Sequence, residues 1–432
     1  MVLRRASRGE RLHIAIMGRR NAGKSSLINA LTNQEVALVS PVPGTTTDPV
    51  YKSMELLPVG PVVIIDTAGL DDLGDLGQLR VKRSRHVLSR ADMVLLLVDA
   101  TAGWSHYEAE ILQQCRENAR PVLLVLTKVD LGRVPASELE SMRILAGREP
   151  VQVSAVTGEG VHQLKLAIIQ HAPPGWDEQP LVSDLVAPQD VVVLVTPIDA
   201  AAPKGRLILP QVQTLRDLLD RGAMALVTRE HQFKQALERL SGPPCLVITD
   251  SQVFAQVNAD TPATVPLTSF SILYARYKGD LPMLLRGAGR IDELKPGDRV
   301  LVAESCTHHR AEDDIGTVKI PRWLTGRVGG PLRFAWSSGS GFPGDLEQYR
   351  LIVHCGGCMI NRREMTYRLA LAQAAGVPVV NYGVCIAKLQ GILPRALSPF
   401  PEAASWLAGL SHMRAELEPE RRETKHVGEA SV

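Results

Sequence analysis

Apolar residues in this chain recur in short continuous runs of strand length, separated by segments with helical spacing. In the first third of the chain these runs lie at 12–17, 62–65, 94–98, 122–126 and 151–153. Unbroken runs of Val, Ile and Leu are typical of parallel strands, because helices cover both faces of such a sheet. The pattern predicts an α/β domain over residues 1–172.

The same alternation restarts after a breaking segment, His171-Ala172-Pro173-Pro174-Gly175-Trp176. Beyond this segment the pattern predicts strands at 191–195, 223–227 and 245–249 and helices at 210–219 and 232–240. This spacing predicts a small middle α/β domain over residues 180–262 with parallel strands. The domain has no cluster of ionisable groups, so we expect an oligomerisation or spacer module.

A third α/β domain is predicted over residues 264–411. Its pattern predicts helix over 266–285 and 361–375, and strands at 299–303, 351–353 and 377–381. Residues 412–432 are rich in charge and poor in apolar side chains, which predicts disorder.

Composition narrows the class of protein. The net charge is only +2 and aromatic residues make up 4% of the 432 residues, so neither a nucleic-acid-binding nor a membrane-binding protein is indicated. The apolar runs are too short to span a bilayer, and the N-terminus lacks the apolar core of a signal peptide. Six cysteines in a chain of this length do not form a disulfide framework, which favours a reducing cytoplasm.

The first predicted strand runs into Gly18-Arg19-Arg20-Asn21-Ala22-Gly23-Lys24-Ser25, a complete G-x-x-x-x-G-K-S motif. In such a loop the glycines let main-chain N–H groups surround phosphate oxygens at a helix N-terminus. Lys24 is expected to reach the β- and γ-phosphates, and the Ser25 hydroxyl is expected to bind Mg²⁺. The predicted nucleotide contacts in this loop are Gly18, Asn21, Ala22, Gly23, Lys24, Ser25 and Ser26.

Further motifs follow in the order that a guanine-nucleotide switch requires. Gly44-Thr45-Thr46-Thr47-Asp48 offers a threonine for Mg²⁺ and the γ-phosphate. In Asp66-Thr67-Ala68-Gly69, Asp66 is expected to hold Mg²⁺ through water, and the Gly69 N–H is expected to sense the γ-phosphate.

The base-binding motifs come later in the chain. The Asp130 carboxylate in Thr127-Lys128-Val129-Asp130 can accept two hydrogen bonds from guanine, which adenine cannot offer. The backbone at Ser154-Ala155 is expected to meet the guanine O6.

These residues resemble the Era and tRNA-modification GTPases, through Asn21 in the loop and the Gly-Thr-Thr-x-Asp form of the switch. The resemblance implies that Asn21 helps to bind K⁺ and that Thr46 is the Mg²⁺ ligand. Lys24, Thr46, Asp66 and Gly69 are then the candidate catalytic residues. Two departures matter: Thr127 replaces the usual asparagine, which predicts a weaker loop tether, and Leu70 replaces a water-orienting glutamine, which predicts slow hydrolysis.

Three cysteines suggest a second site. Cys306 follows one predicted strand, and Cys355 and Cys358 follow another, in His354-Cys355-Gly356-Gly357-Cys358. Because the carboxyl ends of parallel strands meet at one edge, the three thiols are expected to converge there. Buried core cysteines, a structural zinc with histidine ligands, and a [4Fe–4S] cluster with one iron lacking a thiolate all fit this set.

Together with the GTPase motifs, Cys-x-His followed by His-Cys-x-x-Cys resembles the HydF family of [FeFe]-hydrogenase maturation GTPases. The resemblance implies cluster thiolates at Cys306, Cys355 and Cys358, with His308 and His354 as possible further ligands. The fourth ligand stays open among these histidines, His309, the acidic run at 312–314 and water. The resemblance also implies a homodimer, two radical-SAM maturases as partners, and a diiron subcluster precursor as cargo for apo-[FeFe]-hydrogenase.

The leading hypothesis is therefore a cytoplasmic GTPase that uses GTP, GDP and Mg²⁺ and carries an iron cofactor. One alternative is an Era-like regulatory GTPase whose C-terminal domain holds structural zinc and binds RNA or ribosomes. Another is a redox sensor that gates the GTPase.

Overall fold

The computed structural model describes residues 11–32, 50–67, 86–173, 180–198, 207–305, 314–339, 341–403 and 405–408. The chain divides into two compact units, Met1–Gln179 and Pro180–Val432. The first unit corresponds to the predicted N-terminal domain. The tail for which disorder was predicted, 412–432, lies outside the described residues.

The elements of the first unit alternate between strand and helix. They are β1 (Leu12–Gly18), α1 (Lys24–Thr32), β2 (Val50–Leu56), β3 (Gly60–Asp66), β4 (Met93–Asp99), α2 (His106–Glu117), β5 (Val122–Thr127), α3 (Ala136–Ala146), β6 (Val151–Val153) and α4 (Val161–His171).

One six-stranded sheet organises this unit, in the order β2-β3-β1-β4-β5-β6. All pairings are parallel except that of β2 with β3. Successive side chains of β1 enter different clusters, Ala15 on one face and Ile14 and Ile16 on the other. Both faces of the sheet are therefore buried, which explains the unbroken apolar runs in the sequence.

The register brings the nucleotide motifs to one edge of the sheet. Ile16 pairs with Asp66, and Asp99 pairs with Thr127. The ends of β1, β3 and β5 therefore lie together, as expected for parallel strands.

Strand β2 is absent from the sequence prediction. Its residues are mostly exposed or half-buried, and it pairs antiparallel at the edge of the sheet. An edge strand with polar side chains has no continuous apolar run, so the pattern does not reveal it.

In the second unit, strands and helices alternate along the described residues, and the strands form two parallel sheets. Its strands are β7 (Val191–Val195), β8 (Met224–Thr228), β9 (Leu246–Thr249), β10 (Leu267–Ser269), β11 (Arg299–Ala303), β12 (Arg333–Ser337), β13 (Leu351–His354) and β14 (Val379–Asn381). Its helices are α5 (Leu209–Asp220), α6 (Phe233–Glu238), α7 (Phe254–Asp260), α8 (Phe270–Lys278), α9 (Leu281–Gly289), α10 (Ile320–Val328), α11 (Arg362–Ala374), α12 (Tyr382–Leu389) and α13 (Leu393–Leu397).

The strand orders are β10-β9-β7-β8 and β12-β11-β13-β14. One hydrophobic cluster runs through both sheets, from Leu181 to Ala403. The sequence predicts a boundary between the middle and C-terminal domains at residues 262–264, and this boundary lies within the stretch that shares the core. The α/β class, with an N-terminal P-loop domain followed by further α/β layers, is confirmed.

The predicted helix over 266–285 is wrong in part, because this stretch forms β10, α8 and the first half of α9. Ser269 caps α8 by accepting a hydrogen bond from the Ile272 N–H, and Asp280 caps α9 by accepting one from Met283. Both capping residues are visible in the sequence and are signals of helix N-termini. Helix α8 is buried around most of its circumference, which hides these boundaries in the apolar pattern.

Strand β12 is also absent from the prediction. It lies at the edge of its sheet, and Trp336 within it is 43% exposed. Across the described ranges, no helix combines the length and the apolar character needed to span a bilayer.

Candidate functional site

The loop between β1 and α1 has the conformation of a phosphate-binding loop. Asn21 and Gly23 both have positive φ, 62° and 85°, which turns the chain tightly before α1 begins. The ammonium of Lys24, only 8% exposed, donates to the carbonyl oxygens of Gly18 at 2.6 Å and Arg19 at 2.9 Å. Lys24 therefore lies folded across the loop, in position to exchange these carbonyls for phosphate oxygens.

The remaining predicted loop residues surround this lysine. Ala22 is buried, Ser25 is half-buried, and Asn21 and Ser26 are exposed at the mouth of the loop. The Ala22 N–H donates to the Arg19 carbonyl at 3.1 Å, which closes the turn.

The Mg²⁺ side of the site is described only in part. Asp66 lies at the end of β3, is 6% exposed, and has Lys52 Nζ at 3.9 Å from its Oδ2. The next residue, Thr67, donates its hydroxyl to the Ile16 carbonyl at 2.6 Å and so joins β3 to β1. Thr46 and Gly69, the other predicted residues here, lie outside the described residues.

The base-binding loop is joined directly to the phosphate loop. Thr127 is 4% exposed, and its hydroxyl oxygen lies 2.8 Å from the Ala22 carbonyl and 3.3 Å from that of Val98. A hydroxyl has a single hydrogen, so the shorter contact to Ala22 is the donated bond. The threonine in place of asparagine therefore still supplies a tether, through one hydrogen bond.

The rest of the base-binding loop leaves Asp130 accessible. Lys128 has a φ of 59° and turns inward, where its Nζ lies 2.7 Å from Asp99 Oδ2. Burial alone would raise the pKa of Asp99, but hydrogen bonds from Lys128 and Thr101 outweigh it and lower the pKa. Asp130 is exposed and therefore free to meet a guanine edge.

Ser154 and Ala155 lie between β6 and α4, directly after the last strand of the sheet. The buried Ser154 hydroxyl accepts the Thr157 N–H at 3.1 Å, which fixes the turn that precedes α4. Ala155 is half-buried beside it.

An ion pair that the motifs do not reveal anchors the phosphate loop. Arg19 Nε donates to Glu108 Oε1 at 2.8 Å, and Glu108 is fully buried at the start of α2. The second carboxylate oxygen of Glu108 accepts the Ser105 N–H at 2.9 Å. The sequence signal for this arrangement is the capping box Ser105-x-x-Glu108.

The cysteine site lies at the carboxyl edge of the second sheet in the C-terminal unit. Ala303 pairs with His354 across β11 and β13, so the residues that follow each strand are neighbours. The Ser305 N–H points at Cys355 Sγ, with N and S 3.2 Å apart. Cys306 is the next residue along the chain and lies outside the described residues.

The loop between Cys355 and Cys358 is held tightly. Gly357 has a φ of 68°, and a side chain there would overlap the Met365 methyl group. Burial first, and then the neighbouring Cys355 thiol, raise the pKa of Cys358 to about 11, while Lys278 acts in the opposite direction. A metal bound here would therefore displace a proton from Cys358.

His354 is enclosed by the protein. It is 2% exposed, with Nδ1 2.7 Å from the Cys355 carbonyl oxygen and Nε2 3.3 Å from Arg368 Nη1. Burial, and then the charge of Arg368, lower its pKa to about 4. The ring is therefore neutral, donating from Nδ1 and accepting at Nε2. The predicted role of His354 as a ligand requires one of these bonds to be released and stays a prediction; His308 lies outside the described residues.

A buried tyrosine–carboxylate pair adjoins Cys355, which sequence reasoning missed. The Tyr382 hydroxyl donates to Glu304 Oε1 at 3.3 Å, and both side chains are buried. Gly316 packs against this pair so closely that a Cβ there would lie 2.5 Å from Glu304 Oε1. Asp314, the first described residue after Ser305, caps the turn that contains Gly316.

The donor set fits a thiolate-bound metal group. Two thiols lie on one loop, a main-chain N–H is directed at the Cys355 sulfur, and the third cysteine is one residue beyond that N–H. Cys385, by contrast, is a fully buried core residue whose pKa burial raises to about 12. Within the described ranges alone, no three His, Cys, Asp or Glu side chains are grouped as a metal site.

Three family models match the chain. Residues 13–128 match a 50S ribosome-binding GTPase, residues 181–279 match the hydrogen maturase F dimerization domain, and residues 282–399 match the hydrogen maturase F tetramerization domain.

Individual relatives match the GTPase part. The tRNA modification GTPase MnmE of Synechocystis sp. is 42% identical over 137 residues, or 31% of this chain and 29% of that protein. MnmE of Koribacter versatilis is 33% identical over 213 residues, or 48% of this chain and 45% of that protein. The chain thus spans less than half the length of these relatives. A crystal structure of Aquifex aeolicus Era bound to GDP and aluminium fluoride is 22% identical, with a TM-score of 0.33, and covers 50% of this chain and 92% of Era.

The N-terminal unit is accordingly a GTPase domain, with MnmE among the proteins it is similar to. The nucleotide-binding roles of Lys24, Asp66 and Asp130 within this domain stay predictions. The two models that match the rest of the chain are specific to one family and cover nearly all of residues 181–399. The protein therefore belongs to the hydrogen maturase F family.

Proposed function

We propose that this protein is a GTP-hydrolysing scaffold that holds a [4Fe–4S] cluster and assembles or transfers the diiron subcluster precursor of apo-[FeFe]-hydrogenase. The observation that carries the proposal is the contact of the Ser305 N–H with Cys355 Sγ. It holds Ser305, the residue before Cys306 in the sequence, against the loop of Cys355 and Cys358, in a protein of this family.

In this proposal Cys306, Cys355 and Cys358 hold the cluster, which supplies an iron with an exchangeable ligand position. The protein's own residues shape the pocket. His354 fixes the Cys355 carbonyl, and the Ser305 N–H stabilises the Cys355 thiolate. The fourth ligand is proposed to come from His308, His354, a carboxylate of the 312–314 run, or water.

The GTPase domain is proposed to act as a switch. Lys24 and Ser25 bind phosphate and Mg²⁺, Thr46 and Gly69 respond to the γ-phosphate, and Asp66 completes the Mg²⁺ shell. GTP and GDP states then favour different arrangements of the switch loops.

Asn21, exposed with a positive φ at the mouth of the phosphate loop, is proposed to help bind K⁺. Comparing GTP hydrolysis in K⁺ and in Na⁺ tests this role. We expect faster hydrolysis in K⁺, and loss of that difference in Asn21→Ala.

The oligomeric state and the partner proteins are proposed from the family to which the chain belongs. The dimerization and tetramerization models support a homo-oligomer, and we propose a homodimer through residues 181–279. We further propose two radical-SAM maturases as partners that supply the precursor.

The test of cluster binding is anaerobic reconstitution of the full chain with iron and sulfide. We expect the visible charge-transfer absorbance of a [4Fe–4S] protein, and iron rather than zinc by elemental analysis. Cys355→Ser should reduce cluster loading strongly. Cys245→Ser is the matched control, because Cys245 is a half-buried cysteine directly before β9, a strand of the other sheet in this unit.

Equal loading of Cys355→Ser and the control would refute cluster binding at this loop. Zinc in place of iron would favour a structural metal, as in an Era-like regulatory GTPase. Transfer is tested separately, by mixing the matured protein with apo-hydrogenase and measuring hydrogenase activity.

A further inference from the structure

A buried lysine lies beneath the cysteine loop. Lys278, the last residue of α8, is 1% exposed. Its ammonium donates to the main-chain carbonyl oxygens of Gly357 at 3.2 Å, Cys358 at 3.1 Å and Ile360 at 2.7 Å. These three bonds match the three N–H donors of an ammonium.

The ammonium group of Lys278 also lies against Tyr274, one turn earlier in the same helix. Lys278 Nζ lies 5.4 Å from the centre of the Tyr274 ring, a cation–π distance. A Cβ on Gly356 would lie 3.6 Å from Tyr274, so the loop rests directly on this part of the helix. The last turn of α8 therefore forms a platform for the loop, with the ammonium at its centre.

A buried ammonium is costly unless negative charge or oriented dipoles compensate it. The three carbonyl dipoles supply part of that compensation. A thiolate-bound iron–sulfur cluster would supply more, because its thiolates outweigh the positive charge of its inorganic core and reduction adds a further electron.

We propose that Lys278 is a positioning residue for the cluster loop and the buried positive charge that raises the reduction potential of the cluster. This inference rests on the proposed function. A positive charge near a cluster stabilises its reduced, more negative form, and net charge and hydrogen bonding are among the factors that set cluster potentials.

Lys278 and the cysteine loop that it contacts lie in segments that match two different family models. Lys278 lies in the segment that matches the dimerization domain, whereas Cys358 lies in the segment that matches the tetramerization domain. The environment of the cysteine loop is thus completed by a residue outside the segment that contains the cysteines.

The experiment compares reduction potentials of reconstituted full-chain variants, from redox titrations monitored by electron paramagnetic resonance. Lys278→Gln removes the charge and keeps a hydrogen-bond donor, Lys278→Met removes both, and Lys278→Arg keeps the charge. Lys388→Met is the matched control, since it removes a lysine that pairs with Asp292 in the same unit, at the far end of α12.

We expect Lys278→Gln and Lys278→Met to shift the potential to more negative values, with Lys278→Arg and Lys388→Met close to wild type. Iron and sulfide content should fall most in Lys278→Met, because the loop then loses all three bonds. If Lys278→Met does not fold, as judged by circular dichroism of the cluster-free protein, the Gln and Arg variants decide the question.

A Lys278→Gln protein with the wild-type potential would overturn the inference, as would an equal shift in Lys278→Gln and Lys278→Arg. Failure of the wild-type protein to bind any cluster would instead refute the proposed function. The two failures are therefore distinguishable in one series of samples.

Discussion

The hydrogen bond between Thr127 and Ala22 makes a quantitative prediction about nucleotide binding. It joins the base-binding loop to the phosphate loop, across 105 positions of sequence. Thr127→Val replaces the hydroxyl with a methyl group of similar size and removes the bond. Ala22 is 2% exposed, so solvent cannot readily satisfy the carbonyl that loses its donor.

Leaving a buried acceptor unpaired costs about 1–3 kcal/mol. The Ala22 carbonyl lies in the middle of the phosphate loop, so the cost is expected to appear as loss of the loop conformation that binds phosphate. Because about 1.4 kcal/mol corresponds to a factor of ten in a dissociation constant, we expect GDP affinity to fall by about tenfold.

The assay is titration of a fluorescent GDP analogue in K⁺ and Mg²⁺. Thr127→Ser, which keeps the hydroxyl, should bind close to wild type. Thr268→Val is the matched control, because the buried Thr268 hydroxyl has no hydrogen-bond partner among the residues that the structure describes. It lies in the other unit and should leave GDP affinity unchanged.

A change of less than about threefold in Thr127→Val would refute the reasoning, because it would correspond to well under 1 kcal/mol. In that case the threonine would not act as the tether between the two loops. Equal losses in Thr127→Ser and Thr127→Val would also contradict it, since only the valine lacks the donor.

Three further predictions concern the two sites. Asp130→Asn should weaken GDP binding by about 10- to 100-fold, because charged hydrogen bonds to guanine are lost; calorimetry measures this, and an unchanged affinity would remove Asp130 from the base pocket. Gly316→Ala should destabilise the C-terminal unit by about 1–3 kcal/mol in thermal unfolding, because its Cβ overlaps the Tyr382 hydroxyl, whereas Gly326→Ala in open space inside α10 should be neutral or slightly stabilising. In the folded protein the pKa of His354 is depressed from 6.5 to about 4. As the pH falls below about 6.5, the unfolded state therefore binds a proton that the folded state does not. The free energy of unfolding should accordingly decrease from about pH 6.5 down to about pH 4. Denaturant unfolding of the cluster-free protein should show this slope, and His354→Gln should flatten it; an unaltered slope would mean that His354 is not the group responsible.

Much of the fold was predictable from local pattern. The buried strands of the GTPase domain appear as apolar runs because both faces of the sheet are covered, and β1, β4 and β5 lie within a residue of their predicted ends. The phosphate loop was predictable too, since its glycine positions and its lysine are contiguous in sequence. The chemistry of such a loop is local, and a short motif is enough to specify it.

The edge strands and the buried helix were not predictable in the same way. Strands β2 and β12 carry polar and half-exposed residues because only one side of each is paired. Helix α8 merged with its neighbours in the apolar pattern, since burial on most sides removes the amphipathic period that marks a surface helix.

What the sequence alone determined is therefore the buried strands and the phosphate-loop motif, and it also supplied Asp66, Asp130 and the cysteines as candidates for the chemistry. Only the tertiary structure decided what surrounds them. Lys278 beneath Cys358 and Tyr382 against Glu304 are contacts between residues about eighty positions apart. No local pattern encodes such pairs, because they exist only once the parallel strands bring their carboxyl ends to a common edge and close the intervening chain into a buried core.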